Sequence, residues 1–270
     1  MKFFFFDIDG TIIPYGKAIP ESTINTIKEL QKRGNTIFLA TGRRYCEINN
    51  LMNELDIRNA ICAAGGTIVI NNKIVYEEFL PKTVLKDLLF DCRKTNTILV
   101  SLSNRQCYTS YKGKRLHPYL FLLNLISKFP FFRVGSVNSN IISPYLNITY
   151  LDDEDFLNMP TQKVLFYNRS ILKKINCAPN CILYNSIIFW VMELNFKEKG
   201  IKYIQNKFNL NDSSIVVFGD GKNDIGMFKQ YTNSIAMGNS CKILKSLASF
   251  ITKNCDDDGI EYACKYFNWI

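Results

Sequence analysis

The chain opens with an apolar segment, Phe3–Phe6, that ends abruptly at the sequence Asp-Ile-Asp-Gly-Thr of residues 7–11. Consecutive phenylalanines fit a strand covered on both faces, as in parallel sheets, better than an alternating, half-exposed strand. The predicted strand therefore ends at Asp7. Because ligands of open α/β sheets bind beyond the carboxyl ends of the strands, Asp7 is a candidate functional residue. The alternative is an Asp-Gly turn that only solvates the strand end.

Polar residues follow two further predicted strands in the same way. The strand at 36–40 leads into Thr41-Gly42-Arg43, and the strand at 215–219 leads into Asp-Gly-Lys-Asn-Asp at 220–224. Between them, Lys199-Gly200 opens a helical pattern. All of these residues fall at element boundaries, where one crevice at the edge of a sheet could collect them.

Such a set of residues suits phosphoryl transfer. A carboxylate can attack phosphorus to give an acyl phosphate, as aspartate does in ATPases. Attack by an anion on an anion requires charge compensation, which Mg²⁺ bound by Asp7, Asp220 and Asp224 would supply. Lys199 would add a fixed positive charge. Asp9 lies two residues past the nucleophile, where it can protonate the leaving group and then deprotonate water.

Thr41 and Gly42 are candidate donors to the phosphoryl oxygens. Thr41 offers a hydroxyl group, and Gly42 offers a backbone amide at the start of the predicted following helix, where anions are favoured.

The motifs at 7–11, 41–43, 199–200 and 219–224 stand in the order found in the haloacid dehalogenase-like hydrolases, and the chain resembles that family over residues 1–270. The segment Ala236-Met237-Gly238-Asn239 and residues 250–260 resemble its Cof-type branch, which holds many sugar-phosphate and cofactor phosphatases. The resemblance implies an α/β fold, with a doubly wound parallel-sheet (Rossmann-like) core and an inserted α+β cap domain.

The resemblance also implies a role for each matching residue. Asp7 would be the nucleophile, and Asp9 would be the general acid and base, with its backbone carbonyl reaching the metal. Thr41 and Lys199 would bind phosphate. The C-terminal motif would supply Asp220 as a metal ligand, Asn223 as a phosphate contact and Asp224 as a group that ligates the magnesium or orients its shell.

Three further points remain at this stage. Arg43 either reaches the substrate or caps its helix, and the two interpretations carry equal weight. Residues 63–66, Ala-Ala-Gly-Gly, stand where many relatives have Asn-Gly, which puts a substrate-side polar contact in doubt. Dehalogenation is not expected, because the retained Asp9 is the acid that an alkoxide leaving group requires.

The hydrophobic pattern predicts a catalytic core at 1–82 and 187–270 and a cap domain at 83–186. The core contains a predicted helix at 19–33, a strand at 61–64 and a hairpin about Asn71-Asn72. The cap contains a predicted helix at 84–94, strands near 97–102, 106–111, 163–167 and 181–185, and an apolar segment, 119–132, interpreted as a buried helix, with a partner-binding surface as the alternative. A further predicted strand at 189–194 brings the chain back to the core. Substrate selectivity is expected on the cap, with Arg105, Tyr108 and Lys112 as candidates.

Composition limits the function classes. Of 270 residues, 47% are hydrophobic and 21% charged, as in a folded globular protein. Nine scattered cysteines and no apparent signal peptide predict reduced thiols and a cytoplasmic location. The net charge of +9 suits an anionic substrate. We expect neither nucleic acid nor a membrane as a partner, and we expect a monomer or weak homodimer.

The sequence therefore predicts a Mg²⁺-dependent phosphatase that hydrolyses a small phosphate monoester, foremost a sugar phosphate, through an aspartyl-phosphate on Asp7. Two alternatives stay open. One is a phosphotransferase or phosphomutase that uses the same intermediate, and the other is a catalytically weak protein that binds phosphosugars.

Overall fold

The computed structural model describes residues 1–104, 106–111, 148–166, 181–185 and 190–270. The described residues form two compact units. The first contains residues 1–77 and 196–270, and the second contains the described residues between them.

The first unit is built on an eight-stranded sheet with the order β14-β13-β12-β1-β2-β3-β4-β5. The strands from β14 to β3 are parallel, and β4 and β5 extend the edge in antiparallel pairing. Their bounds are β1 Phe3–Phe6, β2 Thr36–Ala40, β3 Ala60–Cys62, β4 Thr67–Ile70, β5 Lys73–Glu77, β12 Ile215–Gly219, β13 Ser234–Ala236 and β14 Phe250–Ile251. The predicted α/β class with a parallel, Rossmann-like core is confirmed.

The four phenylalanines of β1 are buried on both faces of the sheet. Phe4 and Phe6 belong to one hydrophobic cluster, whereas Phe3 and Phe5 belong to a second cluster. Since successive side chains of a strand point to opposite faces, the two clusters lie on opposite sides of the sheet. The helices of this unit are α1 Glu21–Lys32, α2 Tyr45–Glu54, α5 Lys197–Lys207, α6 Ile225–Gln230, α7 Lys242–Leu247 and α8 Gly259–Tyr266.

The hairpin between β4 and β5 turns at Asn71 and Asn72, as predicted. Both residues have positive φ, 51° and 61°. Two consecutive left-handed residues define the tight turn that matches the twist of paired strands, and asparagine tolerates this conformation well.

The second unit contains a six-stranded sheet with the order β10-β11-β9-β6-β7-β8. Its strands are antiparallel except for the parallel pair β7 and β8. The bounds are β6 Leu99–Leu102, β7 Cys107–Thr109, β8 Ile148–Tyr150, β9 Lys163–Phe166, β10 Cys181–Asn185 and β11 Trp190–Leu194, with helices α3 Lys82–Lys94 and α4 Asp153–Asn158.

The chain returns to the first unit later than the sequence predicts. The prediction places residues from 187 onward in the core, but β11 pairs with β9 and β10 and so belongs to the second sheet. The first unit resumes at Phe196, and it ends before the insertion at Glu77 rather than at residue 82. The apolar pattern of β11 gives no sign of which sheet receives it, because strands of both sheets are buried.

Several predictions fall on residues that the model does not describe. Arg105, Lys112 and the segment 119–132 lie outside the described residues. Tyr108 is described and lies buried in β7. Within the described part of the chain, no helix is long and apolar enough to cross a bilayer.

Candidate active site

Asp7 lies at the centre of the first sheet, directly after β1. Its backbone N–H donates to the carbonyl of Phe218 at 3.0 Å, which continues the pairing of β1 with β12. Asp220 follows β12 on the neighbouring strand. The predicted convergence of the two chain ends is therefore confirmed by adjacent parallel strands that stop at the same edge.

Three carboxylates meet at this edge. Asp7, Asp220 and Asp224 each offer an oxygen atom, and these atoms lie within 4.8 Å of one another. Their exposed fractions are 4%, 7% and 0%. Clustered, buried carboxylate oxygens are the hard donors that Mg²⁺ prefers, so the residues present fit such an ion.

The lysine at the cluster is Lys197. Its Nζ lies 2.6 Å from Asp7 Oδ1 and 2.7 Å from Asp224 Oδ1, and the side chain is fully buried. Lys199 was predicted at this position, and the structure corrects that prediction. The Lys199 Nζ lies 4.3 Å from the ring centroid of Phe196. Residues two apart on a helix are separated by about 200° around its axis, so the two lysines cannot share one face.

The sequence contained a signal for Lys197. It is the first residue of α5, three positions after the buried strand β11 ends.

The turn at residues 63–66 holds the start of α5. Ala63, Ala64 and Gly65 all have positive φ, at 48°, 51° and 106°. The Ala64 carbonyl accepts a hydrogen bond from the Phe196 backbone at 2.9 Å. A Cβ on Gly65 would lie 2.4 Å from the Phe196 carbonyl oxygen. This close backbone contact fixes the residue that precedes Lys197.

Asp224 is held by the loop that contains it. Its Oδ2 accepts hydrogen bonds from the backbone N–H groups of Asp220 and Gly221 at 3.0 and 2.9 Å. Its Oδ1 accepts from Lys197. Both carboxylate oxygens of Asp224 thus accept hydrogen bonds. Of its two predicted roles, to ligate the magnesium or to orient the shell of the ion, this arrangement fits the second. Asn223 is half-buried in the same turn.

Asp9 and Arg43 form a two-pronged ion pair. Arg43 Nε donates to Asp9 Oδ2 at 3.0 Å, and Arg43 Nη2 donates to Asp9 Oδ1 at 2.5 Å. Arg44, not Arg43, is the N-cap residue of α2, so the structure does not support the helix-cap interpretation of Arg43. The Arg43 Nη1 atom is buried and has no hydrogen-bond partner among the described residues.

Thr41 and Gly42 lie in the loop after β2. Thr41 is buried, and its Oγ1 accepts the backbone N–H of Arg43 at 3.1 Å, which leaves the hydroxyl hydrogen to donate. Gly42 was predicted to start the following helix. However, α2 begins at Tyr45, so Gly42 precedes the helix by three residues.

Burial and neighbouring charges shift the pKa values of the ionisable groups in the cluster. Burial, together with the charge of Asp224, raises the pKa of Asp7 well above its usual range, although Lys197 opposes the shift. The same two causes raise the pKa of Asp220 to about 7. Burial would lower the pKa of Lys197, but the charges of Asp224 and Asp7 raise it overall. A bound cation would relieve this excess of negative charge.

Sequence reasoning missed two contacts around the cluster. Asn239 Nδ2 donates to the Gly10 carbonyl at 2.8 Å. The Tyr15 hydroxyl donates to the Asp9 carbonyl at 3.3 Å. Gly10 itself has φ of +84°, and a Cβ there would lie 2.2 Å from Asp220 Oδ2. Asn239 is far from Gly10 in the sequence, and no pattern in the loop after Asp9 indicates that Tyr15 returns to the Asp9 carbonyl.

A Rossmann-like sheet with a buried aspartate and lysine cluster at its carboxyl edge is typical of α/β enzymes, whose ligands bind beyond the strand ends. The chain belongs to the haloacid dehalogenase-like hydrolases, because the model of that family matches residues 4–264. This confirms the resemblance drawn from the motifs, including its phosphatase branch.

Individual relatives agree with the family. The chain is 30% identical to "Putative phosphatase YkrA" of Bacillus subtilis (strain 168) over 267 residues, which cover 98% of this chain and 96% of that protein. It is 23% identical to 5-amino-6-(5-phospho-D-ribitylamino)uracil phosphatase YitU of the same organism, with 97% and 96% coverage. The solved structure of the HAD subclass IIB sugar phosphatase BT4131 matches with a TM-score of 0.76, 25% identity and full coverage of both chains.

Proposed function

We propose that the protein is a Mg²⁺-dependent phosphatase that hydrolyses a small phosphate monoester, foremost a sugar phosphate, through an aspartyl-phosphate on Asp7. The observation that carries this proposal is the buried contact of Asp7 with Lys197 beside two further carboxylates. A nucleophilic carboxylate with a fixed cation and a metal-binding set is what attack on a phosphate dianion requires.

In the first step an Asp7 oxygen attacks phosphorus, and the bond between phosphorus and the ester oxygen breaks. Asp9 gives its proton to the departing alkoxide, which leaves as an alcohol. In the second step Asp9 takes a proton from water, and the resulting hydroxide attacks phosphorus. The acyl phosphate bond then breaks, which regenerates the Asp7 carboxylate and releases inorganic phosphate.

The remaining residues bind and orient the phosphoryl group. Lys197 binds the phosphoryl group through its fixed positive charge, the role that was predicted for Lys199. Thr41 donates its hydroxyl, while the Gly42 amide and Asn223 add polar contacts. Asp7, the Asp9 carbonyl, Asp220 and Asp224 would hold Mg²⁺, with Asp224 acting through orientation. The bound ion would supply positive charge that offsets the negative charge of the phosphoryl oxygens.

Arg43 has a substrate-side role in this proposal. It occupies both oxygens of Asp9, while its buried Nη1 has no partner among the described residues. A substrate oxygen that accepts from Nη1 would satisfy this donor and draw the guanidinium away from Asp9, which must be released to move a proton.

The named substrates of the relatives support the substrate class. BT4131 is named a sugar phosphatase, and the YitU substrate carries its phosphate on a D-ribityl chain. We infer from these names a phosphate carried on a sugar-derived carbon skeleton. The second unit is proposed as the cap that selects among such esters, and the cytoplasm is proposed as the location.

Steady-state turnover of para-nitrophenyl phosphate tests the proposal. We expect activity with Mg²⁺, loss of activity with a chelator, and loss of at least about 10³-fold in Asp7→Asn. Transfer of phosphate to an added sugar in preference to water would instead favour the phosphotransferase or phosphomutase. A catalytically weak phosphosugar-binding protein would bind sugar phosphates with little turnover.

A further inference from the structure

Tyr15 lies at the candidate site and takes no part in the steps proposed above. Its hydroxyl donates to the Asp9 carbonyl at 3.3 Å. Nevertheless, 67% of the residue is exposed. One end of the side chain is therefore anchored at the backbone of Asp9, and the ring is presented to solvent.

The segment that carries Tyr15 is held on both sides. Before it, the Gly10 N–H donates to the Ile13 carbonyl at 2.8 Å, which closes a tight turn. After it, the Lys17 N–H donates to the Pro14 carbonyl at 3.2 Å, and Lys17 Nζ lies 2.6 Å from Asp256 Oδ2. The ring position is thus set before a substrate arrives, which lowers the entropic cost of using it in binding.

In the proposed mechanism, the anchor of Tyr15 at Asp9 would place its ring beside the leaving group. The phosphoryl group would sit at the buried pair of Asp7 and Lys197. Asp9 must reach the ester oxygen on the far side of phosphorus, so the rest of the ester extends toward the exposed side of Asp9. Tyr15 is bonded to the backbone of that same residue.

An exposed tyrosine ring suits one kind of ligand. It offers a flat apolar face at low conformational cost, since only two side-chain torsions must be fixed. Flat partners, such as another aromatic ring or the C–H face of a cyclic sugar, stack on such a surface, whereas an acyclic chain covers less of it. A hydroxyl group that only braced the loop would not require the ring to be exposed.

We propose that Tyr15 binds the leaving group of the substrate through its ring and selects phosphate esters whose leaving group is cyclic. The proposal rests on the proposed phosphatase function, since it presupposes a phosphate ester bound at Asp7. It adds a specificity determinant within the first unit, separate from the cap.

The test compares a ring-bearing ester, para-nitrophenyl phosphate, with an acyclic ester, glycerol 3-phosphate. In Tyr15→Ala we expect kcat/KM for para-nitrophenyl phosphate to fall about tenfold, mainly through a higher KM. The kcat/KM for glycerol 3-phosphate should change by less than about threefold, which also shows that the variant is folded. Tyr15→Phe, which keeps the ring, should retain the wild-type ratio of the two substrates.

Tyr266→Ala is the matched control, because Tyr266 has a similar exposure of 61% in the C-terminal helix of the same unit. The Tyr266→Ala variant should leave the ratio of kcat/KM for the two esters unchanged. An unchanged ratio in Tyr15→Ala would overturn the proposal. So would a Tyr15→Phe variant that loses as much as Tyr15→Ala, because the hydroxyl would then be the active group.

Asp7→Asn separates this proposal from the proposed function. Suppose that Asp7→Asn abolishes turnover of both esters, while Tyr15→Ala keeps the wild-type ratio of kcat/KM for the two esters. The proposed role of Tyr15 is then wrong, and the phosphatase proposal stands. If Asp7→Asn turns over both esters as the wild type does, the phosphatase proposal fails, and the role of Tyr15 falls with it.

Discussion

The Nζ atom of Lys197 bridges Asp7 and Asp224, at 2.6 and 2.7 Å, in a fully buried position. One ammonium group thus compensates two carboxylates that come from opposite ends of the chain. This bridge ties the first strand of the sheet to the start of α5 and to the loop after β12.

We expect Lys197→Met to lower kcat/KM for para-nitrophenyl phosphate by at least about 10³-fold, because it removes the cation that faces the nucleophile. Lys199→Met, two residues away, is the matched control. It should change kcat/KM by less than about threefold, since its ammonium group lies over the Phe196 ring. If Lys199→Met were the more damaging change, the assignment of the catalytic lysine would be wrong.

The role of Asp9 predicts a dependence on the leaving group. Asp9→Asn should lower kcat for a sugar phosphate by about 10²- to 10⁴-fold, since an alkoxide requires a proton to leave. The rate of aspartyl-phosphate formation from para-nitrophenyl phosphate, measured in a single turnover, should fall much less, because nitrophenolate is a stable anion. Equal losses for the two esters in single-turnover rates would show that Asp9 does not protonate the leaving group.

Metal binding and protons should compete at the carboxylate cluster. The pKa of Asp220 is raised to about 7 by burial and the charge of Asp224, from an ordinary value of 3.8. The folded state therefore retains a proton that the unfolded state releases, and this contribution to stability is lost as the pH rises from about 4 through 7. In chelator-treated protein, the melting temperature should accordingly fall between pH 5.5 and pH 8.

Mg²⁺ should then stabilise the protein more at pH 8 than at pH 5.5, since it binds the deprotonated carboxylates. Thermal unfolding with and without Mg²⁺ measures both effects, and Asp220→Asn should weaken both. A Mg²⁺-induced rise in melting temperature that is larger at pH 5.5 would contradict this account.

The turn at residues 63–66 should act on the site through the backbone. Gly65→Ala would place a Cβ 2.4 Å from the Phe196 carbonyl oxygen, next to Lys197. We expect it to lower both the melting temperature and kcat/KM. Gly34→Ala is the control, since Gly34 also has positive φ, +80°, but nothing lies within 4 Å of its Cβ position.

Gly34→Ala should cost only about 1–2 kcal/mol in the free energy of unfolding, because left-handed backbone disfavours any Cβ. It should leave kcat/KM unchanged. Denaturant unfolding and steady-state assays on both variants separate the two effects. Equal activity in Gly65→Ala and Gly34→Ala would show that the turn does not position Lys197.

The sequence predicted those parts of the fold in which local pattern and tertiary position agree. The phenylalanines of β1 are apolar on both faces because both faces are buried, and Asn71-Asn72 forms the expected turn because asparagine tolerates positive φ. The bounds of β2 and β12 follow from the burial of their apolar residues in the same way.

The remaining parts depend on contacts between distant segments, which no local pattern records. Lys197 and Lys199 differ only in helix phase, and that phase is set by the Phe196 backbone bond to Ala64. Likewise, β11 resembles a core strand in composition but pairs in the second sheet. The sequence indicates only that Tyr15 lies in a loop, whereas the structure brings its hydroxyl to the Asp9 carbonyl.

The most direct measurement is chemical trapping of the phosphorylated carboxylate. The protein is mixed with Mg²⁺ and a phosphate ester, quenched in acid during turnover and treated with borohydride, which reduces an acyl phosphate to an alcohol. Peptide mass spectrometry should find homoserine in place of aspartate at residue 7, and no such product in Asp7→Asn. Homoserine at another aspartate, or undiminished phosphatase turnover in Asp7→Asn, would contradict the assignment of Asp7 as the nucleophile.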